Sequence, residues 1–397
     1  MPDQRLLCYE HAFNVAMHQV RALVLRYPNQ FPMYTVRGRW GHTGEAWTDW
    51  CGGFLAGMMW LFFQRTRDVF WRDTALEYSR RLEPRKHDRS VHDLGFIFLN
   101  TYRHWYDQTG DPRCMDVVAE AASTLAGRFQ EKGQYLSSFL GPESLFVDIM
   151  MNVPLLFVGA DWLERNGVAR SLSSDRAVES PPSAAELRRK ARAHCLTSQR
   201  FLVRPDGSTA HEAIFDTNTG DFVRESTQQG LRPDSCWSRG LAWALYGFGT
   251  VYGLTGEQVF LETACRCADH FLTHLPPGRI PYWDFRLPEG PDRLWDSSAA
   301  AIAASGLFQL ADLCTSRSAT SAQRYQQAAF EILDALCSEQ FLVSTNSRWE
   351  GILLHAVYHY HKRLGVDESV MWGDHFFVEA LVKAMAHDAM LDRTDAQ

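Results

Sequence analysis

Six times along the chain a polar or acidic start gives way at once to small residues and then to an apolar run. The blocks are TDWCGGFLAGMMWLF (Thr48 to Phe62), HDLGFIFLNTY (His92 to Tyr102), VDIMMNVPLLF (Val147 to Phe157), CWSRGLAWALYGF (Cys236 to Phe248), WDSSAAAIAASGLFQLA (Trp295 to Ala311) and WGDHFFVEALVKA (Trp372 to Ala384). More polar stretches with helical spacing run between them. No single pair of an apolar and an amphipathic helix can bury its own apolar face, so repeated pairs must stack or close on one another. Six pairs closed into a ring put six polar starts at one end, and that end is where a site is expected. The expected fold is therefore all-α, a single (α/α)6 barrel over residues 1–397.

The amphipathic partners can be followed one by one. Tyr9 to Arg26 carries Phe13, Ala16, Met17, Val20 and Val24 at three- and four-residue intervals, the spacing of a half-buried helix. Asp111 followed by Pro112 offers an N-cap and a first helical position. Thr255-Gly256-Glu257 makes a second tight turn between helices. The Ser-rich stretch from Ser171 to Ser183 breaks the rhythm and reads as a long surface connection, with Ser183 and Glu186 spaced as a capping box for the next helix. Residues 201–232 read as a small β excursion, with turn signals at Asp206-Gly207 and Thr219-Gly220. On a helical toroid such an excursion shapes the rim of a pocket.

Composition excludes some classes of function. A net charge of -7 leaves no basic footprint for a nucleic-acid partner. The start, MPDQRLLCYEHAF, has no apolar stretch of signal-peptide length, and no run of about 18 apolar residues follows it. No membrane contact and a cytoplasmic location are expected. Nine cysteines without a C-x-x-C pair fit a reducing compartment, and Cys265 and Cys267 read as buried thiols. Two histidine clusters, His87 with His92 and His355 with His359 and His361, lack metalloprotease or zinc spacing, so no metal site is expected.

Asp93 and Asp148 stand out among the acids, because each opens an unusually apolar run with few charged neighbours. They are either helix caps or two carboxyls of one cavity, split by burial into an acid and a base. Arg239, inside WSRGLAW, needs an anion partner, either a protein carboxylate or a substrate carboxylate. Trp50, Trp237 and Trp243 either stack on a sugar or fill the core. Gly52, Gly53, Ala299 and Ala300 read as positions of close helix packing.

Taken together, VHDLGFIFL, VDIMMNVPLLF, the TQQG to WSRGLAWALYGF stretch, PYWDF before DSSAAAIAASGL, and YH before WGDHFFVEAL resemble the unsaturated glucuronyl hydrolases, glycoside hydrolase family 88. The likeness runs from about Trp50 to Leu381. It implies an (α/α)6 barrel acting on oligosaccharides that carry a 4,5-unsaturated uronic acid at the non-reducing end. The bond is not broken by displacement at the anomeric carbon. A carboxyl group protonates C4, water adds at C5, and the resulting hemiketal opens with loss of the aglycone. By resemblance Asp148 matches the acid/base and Asp93 the aspartate that supports it. His211, Gln229, Arg239, Trp243 and Trp50 match residues of the cleft. No cofactor is implied.

The chain departs from the family pattern at Gln228, where histidine is common, and in the lengthened Ser171 to Ser183 connection. In YHYHKRLG, His361, Lys362 and Arg363 stand where sulfate-accepting relatives use a loop with Ser and Lys; these cations either form a solvated loop face or read sulfate, which would put Lys362 at the substrate. The alternatives are an unsaturated rhamnogalacturonyl hydrolase on pectin fragments, a carbohydrate epimerase on the same barrel working through histidines, or a noncatalytic sugar-binding toroid.

Overall fold

The computed structural model describes residues 4–41, 50–166 and 182–394. Thr48 and Asp49 of the first block, and most of the Ser-rich connection, lie outside the described residues. Among those described, the helices in chain order are α1 (Gln4–Arg26), α2 (Gly52–Thr66), α3 (Val69–Leu82), α4, α5 (Pro112–Ala126), α6 (Pro154–Asn166), α7 (Ala184–Leu202), α8 (Ser238–Thr255), α9 (Gln258–Thr273), α10 (Ser297–Cys314), α11 (Ala319–Leu336) and α12 (Met371–Thr394). Helix α4 runs from Leu94–Phe98 through a π-helical turn, Leu99–Arg103, into His104–Thr109.

The even-numbered helices form the inner ring and the odd-numbered ones the outer. Inner α10 is buried along nearly its whole length, whereas outer α11 buries only the face carrying Ala322, Tyr325, Ala329, Phe330, Ile332, Leu333 and Leu336. Helix α12 packs on both α10 and α2, which closes the ring. The closure depends on small residues: a Cβ at Gly53 would stand 2.4 Å from the Phe96 carbonyl oxygen, so α2 and α4 meet backbone to backbone. By length and composition α10 could cross a membrane, but it is an inner barrel helix and mostly buried.

The local signals act as the residues dictate. The Asp111 carboxylate accepts the Arg113 N–H, Ser183 Oγ accepts the Glu186 N–H, and Gly256, at φ 70°, ends α8 two residues before α9 begins. Turns from an inner to the next outer helix are mostly this short, while every described strand lies in an outer-to-inner connection. Hairpins β1–β2 (Thr35–Val36, Arg39–Trp40) and β3–β4 (Phe129–Gln130, Tyr135–Leu136) are followed by a three-stranded antiparallel sheet. That sheet joins β5 (Ser144–Phe146), β6 (Glu212–Phe215) and β7 (Phe222–Ser226), and a last hairpin pairs β8 (Ala356–His359) with β9 (Leu364–Glu368).

All this irregular structure therefore gathers at the end where the inner helices begin. The β excursion is larger than residues 201–232 and differs at its start: Phe201 belongs to α7, and β5 joins from a separate connection. Cys267 is buried as expected, but Cys265 is half-buried, with its sulfur 3.9 Å from that of Cys314.

Candidate active site

Asp93 immediately precedes α4, yet its carboxyl caps nothing there. It lies 6% exposed, with Oδ1 3.3 Å from His92 Nε2. His92 Nδ1 accepts the Phe139 N–H at 3.1 Å, so in the neutral ring Nε2 bears the proton and faces Asp93. Burial keeps His92 well below its usual range and hence neutral.

Asp148 sits in the 3-10 turn Val147–Met151, ahead of α6, and does not cap that helix. The turn is held from both sides. Val147 N–H donates to the His211 carbonyl at 3.0 Å, and the Asn152 amide donates to the Asp148 carbonyl at 3.2 Å. The same Asn152 accepts the Phe96 N–H at 2.8 Å, which ties the Asp148 turn to the helix that Asp93 begins. A Cβ at Gly95 would stand 2.4 Å from Asn152 Cα, so only glycine lets the two segments come this close.

His211 repeats the His92 arrangement. Its Nδ1 faces the N–H groups of Gln228 and Gln229 at 3.1 and 3.2 Å, which leaves the proton on Nε2. That nitrogen points at Asp148 Oδ2, 3.6 Å away and beyond hydrogen-bond distance, and neither atom has a hydrogen-bond partner among the described residues. Each carboxyl is thus backed by a neutral imidazole. Burial, with Arg239 acting the same way, holds His211 down to about 3.

The carboxyls are shifted the other way. Burial raises Asp148 to about 7 against the opposing pull of Arg239. Burial also holds Asp93 well above the carboxylate range, and the Asp148 charge adds to this, with Arg128 opposing. Both groups face one cavity of about 180 Å³. Its floor includes buried His92 and Phe146, and its rim includes exposed Gln228, Leu140 and Lys362.

The structure brings Trp50, Asp93, Asp148, Gln229 and Lys362 to the wall of that cavity. Arg239 lies behind it, only 1% exposed, and its anion partner is a protein carboxylate: Nη1 donates to Asp296 Oδ2 at 2.9 Å. Nη2 donates to Gln229 Oε1 at 2.5 Å, which turns the Gln229 NH2 group toward the cavity. Trp243 is placed elsewhere, in the core beneath the site, its ring 5.0 Å from Phe96 and 5.3 Å from Phe376. An inner-ring position one helical turn along from Arg239 points into the barrel, not at its mouth.

The histidine clusters disperse. His355 pairs with Asp367, His361 Nε2 donates to the Gly230 carbonyl, and His359 lines the cavity. Among the described residues no three His, Cys, Asp or Glu side chains converge on a metal position. Asn152, His92 and Asp296 are the site residues that sequence reasoning did not assign. For Asp296 a signal existed, since an Asp before Ser-Ser-Ala is a helix cap within reach of an arginine that needs an anion.

No family model matches the chain. It is 32% identical to the "Unsaturated glucuronyl hydrolase" of Bacillus sp. (strain GL1) over 85% of this chain and 86% of that protein. Among solved structures it is similar to an unsaturated glucuronyl hydrolase described as specific for heparin, at TM-score 0.85 and 26% identity, covering 96% of this chain and 98% of that one. It is also similar to a mutant of the Streptococcus agalactiae enzyme complexed with dGlcA-GalNAc6S, at TM-score 0.77 and 25% identity, covering 94% and 90%. At the identity to the Bacillus protein, sustained over most of both chains, the chain belongs to the unsaturated glucuronyl hydrolases, glycoside hydrolase family 88.

Proposed function

We propose that Asp148 delivers a proton to C4 of a 4,5-unsaturated uronic acid at the non-reducing end of an oligosaccharide and then takes one from the water that adds at C5. The observation that carries this reading is the pair of buried carboxyls, both with raised pKa, facing one small cavity. A group ionising at about 7 is divided between its two forms at neutral pH, so the same carboxyl can act as acid and then as base. Asp93, also raised by burial and by the Asp148 charge, faces the same cavity and titrates with Asp148 as a coupled pair.

The substrate is an enol ether. Protonation at C4 puts cationic character at C5, stabilised by the ring oxygen, and the Asp148 carboxylate left behind activates water for attack there. The product is a hemiketal, which opens and releases the aglycone. Gln229 offers its NH2 group to the unsaturated sugar because Arg239 holds the other end of the amide. The half-buried Trp50 ring, which lines the cavity, supplies a face for the sugar ring. Arg239 acts through Gln229 as a positioning residue.

The test uses isotopes. Turnover of an unsaturated disaccharide in heavy-oxygen water should place the label on C5 of the released keto acid and not on its C1, and in deuterated water C4 should gain deuterium. Label first appearing on C1, or no deuterium at C4, would overturn the reading.

A further inference from the structure

Gln228 and Gln229 are consecutive, both line the cavity, and their amides are held in opposite senses. For Gln229 it is the oxygen that Arg239 engages. For Gln228 it is the nitrogen: Nε2 donates to Glu212 Oε2 at 3.2 Å. A carboxylate only accepts, so this assignment of the amide is fixed by chemistry. Glu212 is itself 1% exposed and anchored, its Oε1 accepting the Ser144 hydroxyl at 2.5 Å, and Ser144 Oγ accepting the Ser138 hydroxyl at 2.7 Å. The Leu140 N–H donates to the same Ser138 Oγ at 3.2 Å. One chain of hydrogen bonds therefore fixes two rim groups, the Gln228 amide and the 45%-exposed Leu140 side chain.

We propose that Gln228 Oε1, turned outward because Glu212 holds the amide nitrogen, accepts a hydrogen bond from the sugar next to the unsaturated one and so selects among aglycones. This rests on the reaction proposed above. With both carboxyls at the floor, the unsaturated ring fills the buried part of the cavity and the next sugar reaches the rim. There Leu140 offers an apolar surface to the C–H face of that sugar, and Gln228 reads one O–H or amide N–H on its edge.

The experiment compares an unsaturated disaccharide with the phenyl glycoside of the same unsaturated uronic acid, whose aglycone has no donor. Gln228→Met keeps the backbone N–H that holds His211 and removes the acceptor. It should raise KM for the disaccharide about three- to tenfold, the worth of one neutral hydrogen bond, with kcat little changed. KM for the phenyl glycoside should move less than twofold, and that turnover serves as the control for folding. Glu212→Gln, which frees the Gln228 amide to turn, should raise KM in the same selective sense. An equal change on both substrates, or none on the disaccharide, would overturn the role of Gln228. Failure of the unaltered protein to turn over either substrate would overturn the reaction instead.

Discussion

Asp148 is the residue on which the chemistry should depend most. Asp148→Asn keeps the shape of the turn but neither donates to C4 nor activates water, and general acid-base groups contribute about a hundred- to ten-thousand-fold. Turnover of the unsaturated disaccharide, followed by loss of its double-bond absorbance, should fall by that order with the circular dichroism unchanged; a variant keeping a third of the rate would remove Asp148 from this role. Asp93→Asn tests the pair. Two coupled carboxyls lose their protons in two steps, so the unaltered enzyme should lose activity gradually as pH rises through about 7. With Asn at 93 only one ionisation remains, and the alkaline limb should sharpen as well as drop. An unaltered profile with ordinary activity would leave Asp93 without a part in the reaction. Both aspartates were legible in the sequence as acids opening apolar runs. His211 was named by resemblance, but the backing of each aspartate by a neutral imidazole was not legible, because Phe139, Gln228 and Gln229 present backbone N–H groups to the ring nitrogens, and backbone donors leave no mark in a sequence.

At the scale of elements, the site depends on how closely α4 meets the Asp148 turn. Gly95→Ala would press a methyl group against the Asn152 backbone, which cannot swing aside as a side chain could. Overpacking of this kind costs roughly 1–3 kcal/mol, so the melting temperature should fall and turnover should fall with it as the two carboxyls are pushed apart. A Gly95→Ala protein with both quantities intact would show that the contact is slack. The β8–β9 hairpin carries the other element-scale expectation. Its tip divides YHYHKRLG: His361 is held by the Gly230 carbonyl, Lys362 lines the cavity, and Arg363 is exposed at φ 55°. If Lys362 reads sulfate through charge-assisted hydrogen bonds, Lys362→Ala with Arg363→Ala should raise KM for sulfated more than for unsulfated disaccharides. Equal effects would leave both as surface charge. The helices were legible because their apolar spacing extends over many residues, as in Tyr9 to Arg26. The strands were less so, since β1 to β4 are two residues each and β8 is buried on both sides, without alternation. Pairing of β5 with β6 spans distant parts of the chain and has no local signal.

The whole barrel buries two sets of titratable groups whose effects on stability oppose each other across pH. Burial lowers His194 and His211 to about 3 and His359 and His375 to about 4, and holds His92 well below its usual range. For these the unfolded chain binds protons first, so their contribution is complete above about 6.5 and is lost as pH falls toward 3 to 4. Burial raises Asp148 and Asp374 to about 7 and holds Asp93 well above its usual range. For these the folded chain holds protons that the unfolded chain has released, so their contribution is complete below about 3.9 and is lost as pH rises through 7. Between about 4 and 6.5 both sets act, and five histidines outweigh three aspartates, so stability should rise with pH. Above about 6.5 the histidines change nothing more and the three aspartates set a falling slope, opposed by the Cys8 and Cys265 thiols, which are lowered to about 7. The melting temperature should therefore peak near pH 6 to 7 and decline on both sides. Asp148→Asn, which cannot ionise, should flatten the decline between pH 6.5 and 8 and steepen the rise between about 4 and 6.5, where Asp148 opposes the histidines. A variant with the same alkaline slope as the wild type would show that Asp148 ionises in the folded protein as easily as in the unfolded one, and would take from it the acid form its role requires.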